Sequence, residues 1–303
     1  MILDWGVPVV AALIGAAVCR FYAWLALAAP EERVLRTNID GRSVPVVLGW
    51  PVVAGSLAGI GGITLWSEWS HASSMAGLGY RYFPPLFEEG LHWIPRQVLA
   101  GAAGLLMVMF VAGWWDDRRG DERPRGFAGH LGALGSGRLT GGVIKLIAGG
   151  LVGLATAALL LRGFEPLRII IVVAAIIPLT ANLLNLLDRA PGRAGKSFLV
   201  VAVPVAAFGD PLWRIVAAGA IGATLAILPL DLRAKGMLGD AGANPLGALL
   251  GLGLVVGFGG SFAALVGVAV VLLALNIASE KWSFSAVIER TPWLARLDHL
   301  GRK

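Results

Sequence analysis

The chain alternates long apolar stretches with short segments that carry most of its charged residues. A membrane-spanning helix needs roughly 20 consecutive apolar residues, so stretches of this length predict transmembrane helices rather than strands. The pattern predicts an all-α, polytopic helical bundle of nine or ten spans, in which the sixth stretch is short and contains Pro204. The predicted spans are 5–29, 45–66, 97–115, 141–161, 167–187, 197–208, 211–230, 243–258 and 261–279.

Composition supports a membrane protein. Hydrophobic residues make up 57% of the chain and charged residues 15%, whereas a soluble domain carries about 25% charged residues. We therefore expect one transmembrane domain over 1–279, followed by a cytoplasmic C-terminal tail over 280–303. The single cysteine, Cys19, lies inside the first apolar stretch and excludes a disulfide framework.

The basic residues predict the orientation of the bundle. With nine spans, nineteen of the 25 lysines and arginines fall on one side, five fall on the other and Arg20 lies within a span. The positive-inside rule makes the richer side cytoplasmic, which puts the N-terminus outside the plasma membrane and the C-terminus inside. The net charge of +6 then reflects topology and attraction to anionic headgroups, and no nucleic-acid partner is needed to explain it.

Polar side chains collect at the predicted cytoplasmic ends of three spans. Carboxylate and amide oxygens are costly there unless a cation or an anionic substrate uses them, and Mg²⁺ commonly binds one or two carboxylates together with phosphate oxygens. We therefore hypothesise a site for Mg²⁺, with Mn²⁺ as a substitute, and for a phosphorylated substrate. The oxygen ligands are Asp116, Asp117, Asn185 and Asp240, and Asn182 and Asp188 share one helix face with Asn185. The phosphate-binding candidates are Arg118, Arg119, Lys145, Arg193 and Lys196.

Each of these residues also has an ordinary structural explanation. Asp116 and Asp117 can be the solvated end of a span, and Asp240 can be a turn residue between glycines. Asn182 and Asn185 can form interhelical hydrogen bonds, which are common between membrane helices. Three other acids, Asp210, Asp231 and Asp298, are expected to be solvated loop charges.

Four segments resemble motifs of the polyprenyl-phosphate N-acetylhexosamine-1-phosphate transferase superfamily. Asn38–Pro45 is similar to that family's first cytoplasmic loop, and Asp116-Asp117 resembles its Asp-Asp motif. Asn182-Leu-Leu-Asn-Leu-Leu-Asp188 resembles Asn-x-x-Asn-x-x-Asp, and Leu238-Gly-Asp-Ala-Gly242 resembles Gly-Asp-x-Gly. The four segments follow the family order and share one predicted side of the membrane.

The resemblance implies Mg²⁺-dependent transfer of a sugar-1-phosphate from a UDP-sugar to a polyprenyl phosphate for cell-envelope glycopolymer synthesis. It implies that Asn185, Asp240 and Asp117 hold the metal, and that Asp116 or Asp117 deprotonates or positions the lipid phosphate. Asp188 would be a further catalytic carboxylate, and a homodimer is compatible with this family. The implied substrate-binding residues are Asn182, Lys145, Arg118, Arg193 and Lys196.

The chain departs from the family pattern in the loop after the fifth span. Pro191 occupies the position that the family associates with nucleotide-base recognition, and the surrounding segment, Arg189–Lys196, is cationic. This predicts a loop that binds phosphate more than the base. The alternatives are a non-catalytic polyprenyl-phosphate-binding or assembly protein that kept the fold, and a transporter.

Overall fold

The computed structural model describes residues 5–28, 34–75, 96–118, 147–155 and 167–302, and within them it is an all-α bundle with one small hairpin. This confirms the predicted all-α fold class. The segment 147–155 is also helical. The helices are α1 (Gly6–Ala28), α2 (Gly49–Met75), α3 (Arg96–Arg118), α4 (Leu167–Leu187), α5 (Arg193–Phe208), α6 (Pro211–Asp231), α7 (Asp240–Phe258), α8 (Phe262–Lys281), α9 (Phe284–Arg290) and α10 (Pro292–His299).

Seven of the helices in the described part of the chain are long and apolar enough to cross a membrane: α1, the first 20 residues of α2, α3, α4, α6, α7 and α8. They correspond to seven of the nine predicted spans, and α4 has the bounds that the apolar pattern predicts. The predicted fourth span, 141–161, is described only over 147–155. The predicted sixth span corresponds to α5, a helix of 16 residues. A helix of that length reaches only about 24 Å.

Small residues bring α1, α2 and α6 into backbone contact. A Cβ added to Gly15 of α1 would lie 2.4 Å from the carbonyl oxygen of Gly219 in α6, and one added to Gly55 of α2 would lie 2.4 Å from the carbonyl oxygen of Gly15. Close approach of this kind stabilises membrane helix pairs through van der Waals packing. The three helices therefore form a tightly packed unit beside the site described below.

Helix α7 is the centre of the bundle and α8 is its periphery. In the apolar stretch of α7, 78% of the residues are buried, against 11% in that of α8. Because α8 exposes most of its apolar side chains, it has the surface expected of a lipid-facing helix. The residues that begin α7 lie among the ends of the surrounding helices.

A short antiparallel hairpin connects α1 to α2. Its strands are β1 (Leu35–Thr37) and β2 (Ser43–Pro45), paired with Arg36 opposite Val44. The apolar pattern places the start of the second span at residue 45, but α2 begins at Gly49. The reason is a backbone ladder, in which Met237 N donates to the Pro45 oxygen and Leu48 N donates to the Met237 oxygen, both at 2.9 Å. These bonds hold the residues before α2 against the segment that precedes α7.

Candidate functional site at the start of helix α7

The site is built around a sharp turn that only glycine fits. Gly239 has φ +65° and directly precedes Asp240, the first residue of α7. A Cβ at this position would lie 2.0 Å from Val46 Cγ1 and 2.8 Å from Asp117 Oδ2. The positive φ and the close contacts both favour glycine. The turn directs backbone N–H groups at the start of α7 toward carboxylates at the ends of α3 and α4.

Asp117, from the end of α3, caps α7. Its Oδ1 accepts a hydrogen bond from Asp240 N at 3.1 Å, and its Oδ2 accepts one from Ala241 N at 2.9 Å. The first N–H groups of a helix have no partner within the helix, and a carboxylate there also interacts favourably with the helix dipole. The two helices touch through backbone as well, since a Cβ on Gly113 would lie 2.1 Å from the Asp240 carbonyl oxygen.

Asp188, which directly follows α4, binds the same turn. Its Oδ2 accepts a hydrogen bond from Gly239 N at 2.7 Å, and the residue is buried. Burial raises the pKa of Asp188 well above its usual range, and the nearby charges of Asp231, Asp117 and Asp240 raise it further, against the opposing Gly239 hydrogen bond. The turn is therefore surrounded by acids that repel one another.

The hairpin between α1 and α2 contains the motif Asn38–Pro45 and brings it to this end of the bundle. Arg36 of β1 donates a hydrogen bond to the Asp117 carbonyl oxygen, and Ile39 N donates to the Arg189 carbonyl oxygen at 3.2 Å. Asn38 is buried at the hairpin tip, where its Oδ1 accepts from Arg42 N at 2.9 Å. All four sequence motifs thus lie at one end of the bundle, around the start of α7.

The other predicted ligand residues at this end of the bundle differ in how exposed their side chains are. Asp116, Asn185 and Asp240 are half-exposed. Arg118 is exposed, and its guanidinium carbon lies 4.2 Å from the centroid of the Trp114 ring. Arg119 and Lys145 lie outside the described residues.

Asn182 faces a different partner. Its Nδ2 donates to Asn276 Oδ1 of α8 at 2.6 Å, and Asn276 Nδ2 donates to the Leu272 carbonyl oxygen at 2.7 Å. This is the interhelical hydrogen bond that was the structural alternative for Asn182, and its role toward a substrate stays a prediction. Sequence reasoning missed Asn276, although an isolated amide within an apolar stretch is the signal that would have found it.

Arg193 is held by the C-terminal tail. The side chain is buried, its Nε and Nη2 donate to the two carboxylate oxygens of Asp298 at 2.8 and 2.7 Å, and its Nη1 donates to Ser285 Oγ at 2.7 Å. The expectation that Asp298 and Asp231 are solvated loop charges is wrong, because both are buried. The third acid of that group, Asp210, caps α6 by accepting from Leu212 N at 2.7 Å.

Lys196 and Arg302 complete this cluster. Lys196 Nζ donates to the carbonyl oxygens of Leu297 and Leu300, each at 3.1 Å, at the end of α10. Arg302 Nη2 lies 2.6 Å from Asp298 Oδ2. We call Arg193, Lys196, Asp298 and Arg302 the tail latch. Burial lowers the pKa of Lys196, with Asp298 opposing, while Arg193 and the other cations hold the pKa of Asp298 below its usual value despite its burial.

The described residues contain no group of three or more His, Cys, Asp or Glu side chains arranged to hold a metal ion. Mg²⁺ does not require such a group, because it commonly takes one or two carboxylates and completes its shell with water and substrate phosphates. Asp240, whose N–H group bonds to Asp117, and Asn185, on the last turn of α4, are both half-exposed and offer hard oxygen donors of that kind. The mutual repulsion of the surrounding acids also favours a bound cation.

No protein-family model and no curated protein sequence matches the chain.

Proposed function

We propose that this chain is a membrane phosphoglycosyltransferase. It would transfer a sugar-1-phosphate from a nucleotide sugar, UDP-linked by the resemblance, to a polyprenyl phosphate at the cytoplasmic face of the plasma membrane. The observation that supports this most is the meeting of four motifs, far apart in sequence, around the Gly239 turn. Two of those motifs accept hydrogen bonds from the turn or from the first residues of α7, through Asp188 and Asp117. Pro45, the last residue of a third motif, accepts one from Met237 N just before the turn.

The charge balance of the site favours a cation together with phosphate. Asp231, Asp117 and Asp240 are close enough to Asp188 that their charges act on its pKa. Asp117 already accepts from the first two N–H groups of α7, and Asp188 accepts from Gly239 N just before the helix, so protein carboxylates compensate the helix dipole. A pyrophosphate would be repelled by these acids alone, and a divalent cation reverses the sign of the local field.

Asp240, with Asn185 and Asp117, would hold Mg²⁺ in this proposal. Bound there, Mg²⁺ would neutralise charge on the donor pyrophosphate during in-line displacement. Asp117 and Asp188 fix the turn that presents Asp240, and Asp116, next to Asp117 at the end of α3, would position or deprotonate the lipid phosphate. Arg118, exposed on the last turn of α3, would meet phosphate oxygens.

The proposal includes the topology predicted from the charges, with nine spans, an external N-terminus and a cytoplasmic site. The ends of α3 and α4 and the start of α7 meet at one end of the bundle. The charge rule assigns these same segments to the cytoplasmic side.

A direct assay tests the activity. Purified protein in lipid nanodiscs is incubated with polyprenyl phosphate, Mg²⁺ and a panel of nucleotide sugars, and release of nucleoside monophosphate is measured. We expect release that needs both the lipid and Mg²⁺ and that a chelator stops. Absence of release with every donor would contradict the enzyme assignment.

A second candidate, a non-catalytic lipid-phosphate binder, is favoured by one observation. The predicted donor loop is clamped by the tail through Arg193 and Lys196, so its cations have protein partners. The same samples separate the two functions. Polyprenyl phosphate that binds without Mg²⁺, with no monophosphate released from any donor, identifies the binder.

A further inference from the structure

The helix α10 has its apolar side facing away from the protein. Trp293, Leu297 and Leu300 are 62%, 57% and 67% exposed. Trp293 and Leu297 lie four residues apart on one face of α10, and Leu300 directly follows its last residue. A helix on the surface of a soluble protein buries its apolar side chains and exposes its charged ones, whereas α10 exposes this apolar stripe and buries Asp298.

The tail latch fixes this arrangement. Asp298 lies on the inward face of α10 and is 7% exposed, because both of its oxygens bind the buried Arg193. Lys196 binds backbone carbonyl oxygens at the end of the same helix. A charged residue turned inward and held by two cations sets the rotation of α10. The apolar stripe is therefore presented outward by specific polar contacts.

The tail that carries these side chains begins where the most exposed apolar helix of the bundle ends. Helix α8 exposes Val271 and Ile277 among other apolar side chains and ends at Lys281. Trp282, which is 62% exposed, follows at once, and tryptophan is enriched at membrane–water interfaces. The tail therefore starts at the membrane edge.

The charges around the stripe suit anionic headgroups. Lys281, Arg290 and Arg296 are exposed along the tail. Basic residues near an anionic membrane surface are attracted to it. Amphipathic helices of this composition lie in the interface plane, with the apolar face at the boundary between headgroups and acyl chains.

We propose that residues 282–300 form an interfacial element that lies on an anionic lipid bilayer. Trp282, Trp293, Leu297 and Leu300 enter the headgroup–acyl boundary, and the tail latch ties the element to the first turn of α5. The occupant of these side chains is lipid, because the tail directly follows the exposed apolar helix α8 and carries exposed cations. This inference does not depend on the proposed transferase activity.

Site-directed spin labelling measures the depth of each position. Leu297→Cys and Leu300→Cys carry nitroxide labels in nanodiscs of phosphatidylcholine and phosphatidylglycerol. Val271→Cys is the lipid-facing reference and Glu289→Cys, an exposed acid of the same tail, is the aqueous reference. The one native cysteine, Cys19, is fully buried, so the unaltered chain serves as the labelling background. All four altered positions are exposed, so the substitutions remove little packing.

We expect the labels at 297 and 300 to be reached by oxygen several-fold better than by a water-soluble nickel complex, as at 271, with the reverse at 289. Nickel accessibility at 297 and 300 equal to that at 289 would place the stripe in water and overturn the proposal. Low accessibility to both reagents would place it against protein, such as a second copy, and would also overturn it. The same depth in pure phosphatidylcholine would contradict the preference for anionic lipid.

Discussion

The two polar clusters at this end of the bundle differ in how their charges are balanced. Around the Gly239 turn, Asp117 and Asp188 bind backbone N–H groups, and the neighbouring acids raise the pKa of Asp188. In the tail latch, Asp298 is paired with Arg193 and Arg302, and its pKa is lowered. The carboxylate of the latch is paired with two arginines, whereas Asp188 at the turn binds a backbone N–H group and lies among other acids. The proposed function places the cation and phosphate at the turn, and not at the latch, because of this difference.

Breaking the latch should have the largest effect. Arg193→Ala leaves Asp298 buried without its main partner, and we expect it to lower the free energy of unfolding by about 3–5 kcal/mol. Thermal unfolding in detergent measures this, with Arg290→Ala, an exposed arginine of α9, as a control expected to change stability by less than about 0.5 kcal/mol. The double variant Arg193→Met/Asp298→Leu should recover most of the loss, because it removes both charges. Unchanged unfolding together with weaker phosphate binding would instead make Arg193 a ligand residue, as the sequence predicts.

Removing the proposed metal ligand should affect activity and not stability. We expect Asp240→Asn to lower kcat by at least about 100-fold, the scale for losing one preorganised electrostatic group. Asp240 N still donates to Asp117 in this variant, so the cap on α7 is kept. The control is Asp210→Asn, in which the N-cap of α6 is retained by an amide. Normal turnover of Asp240→Asn at ordinary Mg²⁺ would remove Asp240 from the metal site.

The turn itself should be sensitive to a single methyl group. Gly239→Ala combines a positive φ with a Cβ placed 2.0 Å from Val46 Cγ1, and we expect a loss of about 1–3 kcal/mol in stability. Gly61→Ala is the matched control, because a Cβ there meets nothing within 4 Å. Adding Val46→Ala to Gly239→Ala removes the clash with Val46 and leaves the strained φ and the 2.8 Å approach to Asp117 Oδ2. If the double variant regains nothing, the backbone conformation and the Asp117 contact account for the loss.

Acidification should weaken the latch less than the Arg193→Ala substitution does, because protonated Asp298 keeps some of its hydrogen bonds. The pKa of Asp298 is lower in the folded protein than the usual value of about 3.9. Its contribution to stability is therefore present above that usual value and is lost as pH falls through the folded value. The groups facing it are Arg193, Lys196 and Arg302. We expect a spin label at position 297 to become more mobile as the pH falls through this acid range. Between pH 6 and about 8 we expect no change, because Asp298, the carboxylate of the latch, does not titrate there. Mobility that changes near neutral pH would assign the transition to another group.

The sequence predicted the positions of the helices well, but it predicted only some of the polar contacts. Apolar length alone located α4 to its ends, and charge asymmetry placed the four motifs on one side, where the structure brings them together. The hairpin was missed because each strand has only three residues, too few for a two-residue alternation to stand out. The latch was missed because Asp298 sits in a polar tail, and its partner lies 105 residues away. Local patterns predict local structure, whereas a buried ion pair depends on packing that joins distant segments.

The smallest effect is expected at Asn182, where the sequence left two explanations open. Asn182 donates to Asn276 Oδ1, and that bond joins α4 to α8. Hydrogen bonds between membrane helices contribute about 0.6 kcal/mol on average. We therefore expect Asn182→Leu to lower stability by about that amount and to leave the KM for the nucleotide sugar unchanged. Asn276→Leu should lower stability similarly, and the double variant should lose little more, because the two residues share one bond. A several-fold rise in KM with Asn182→Leu, and none with Asn276→Leu, would show that Asn182 contacts the donor. The amide would then belong to the phosphate site rather than to the packing of α4 against α8.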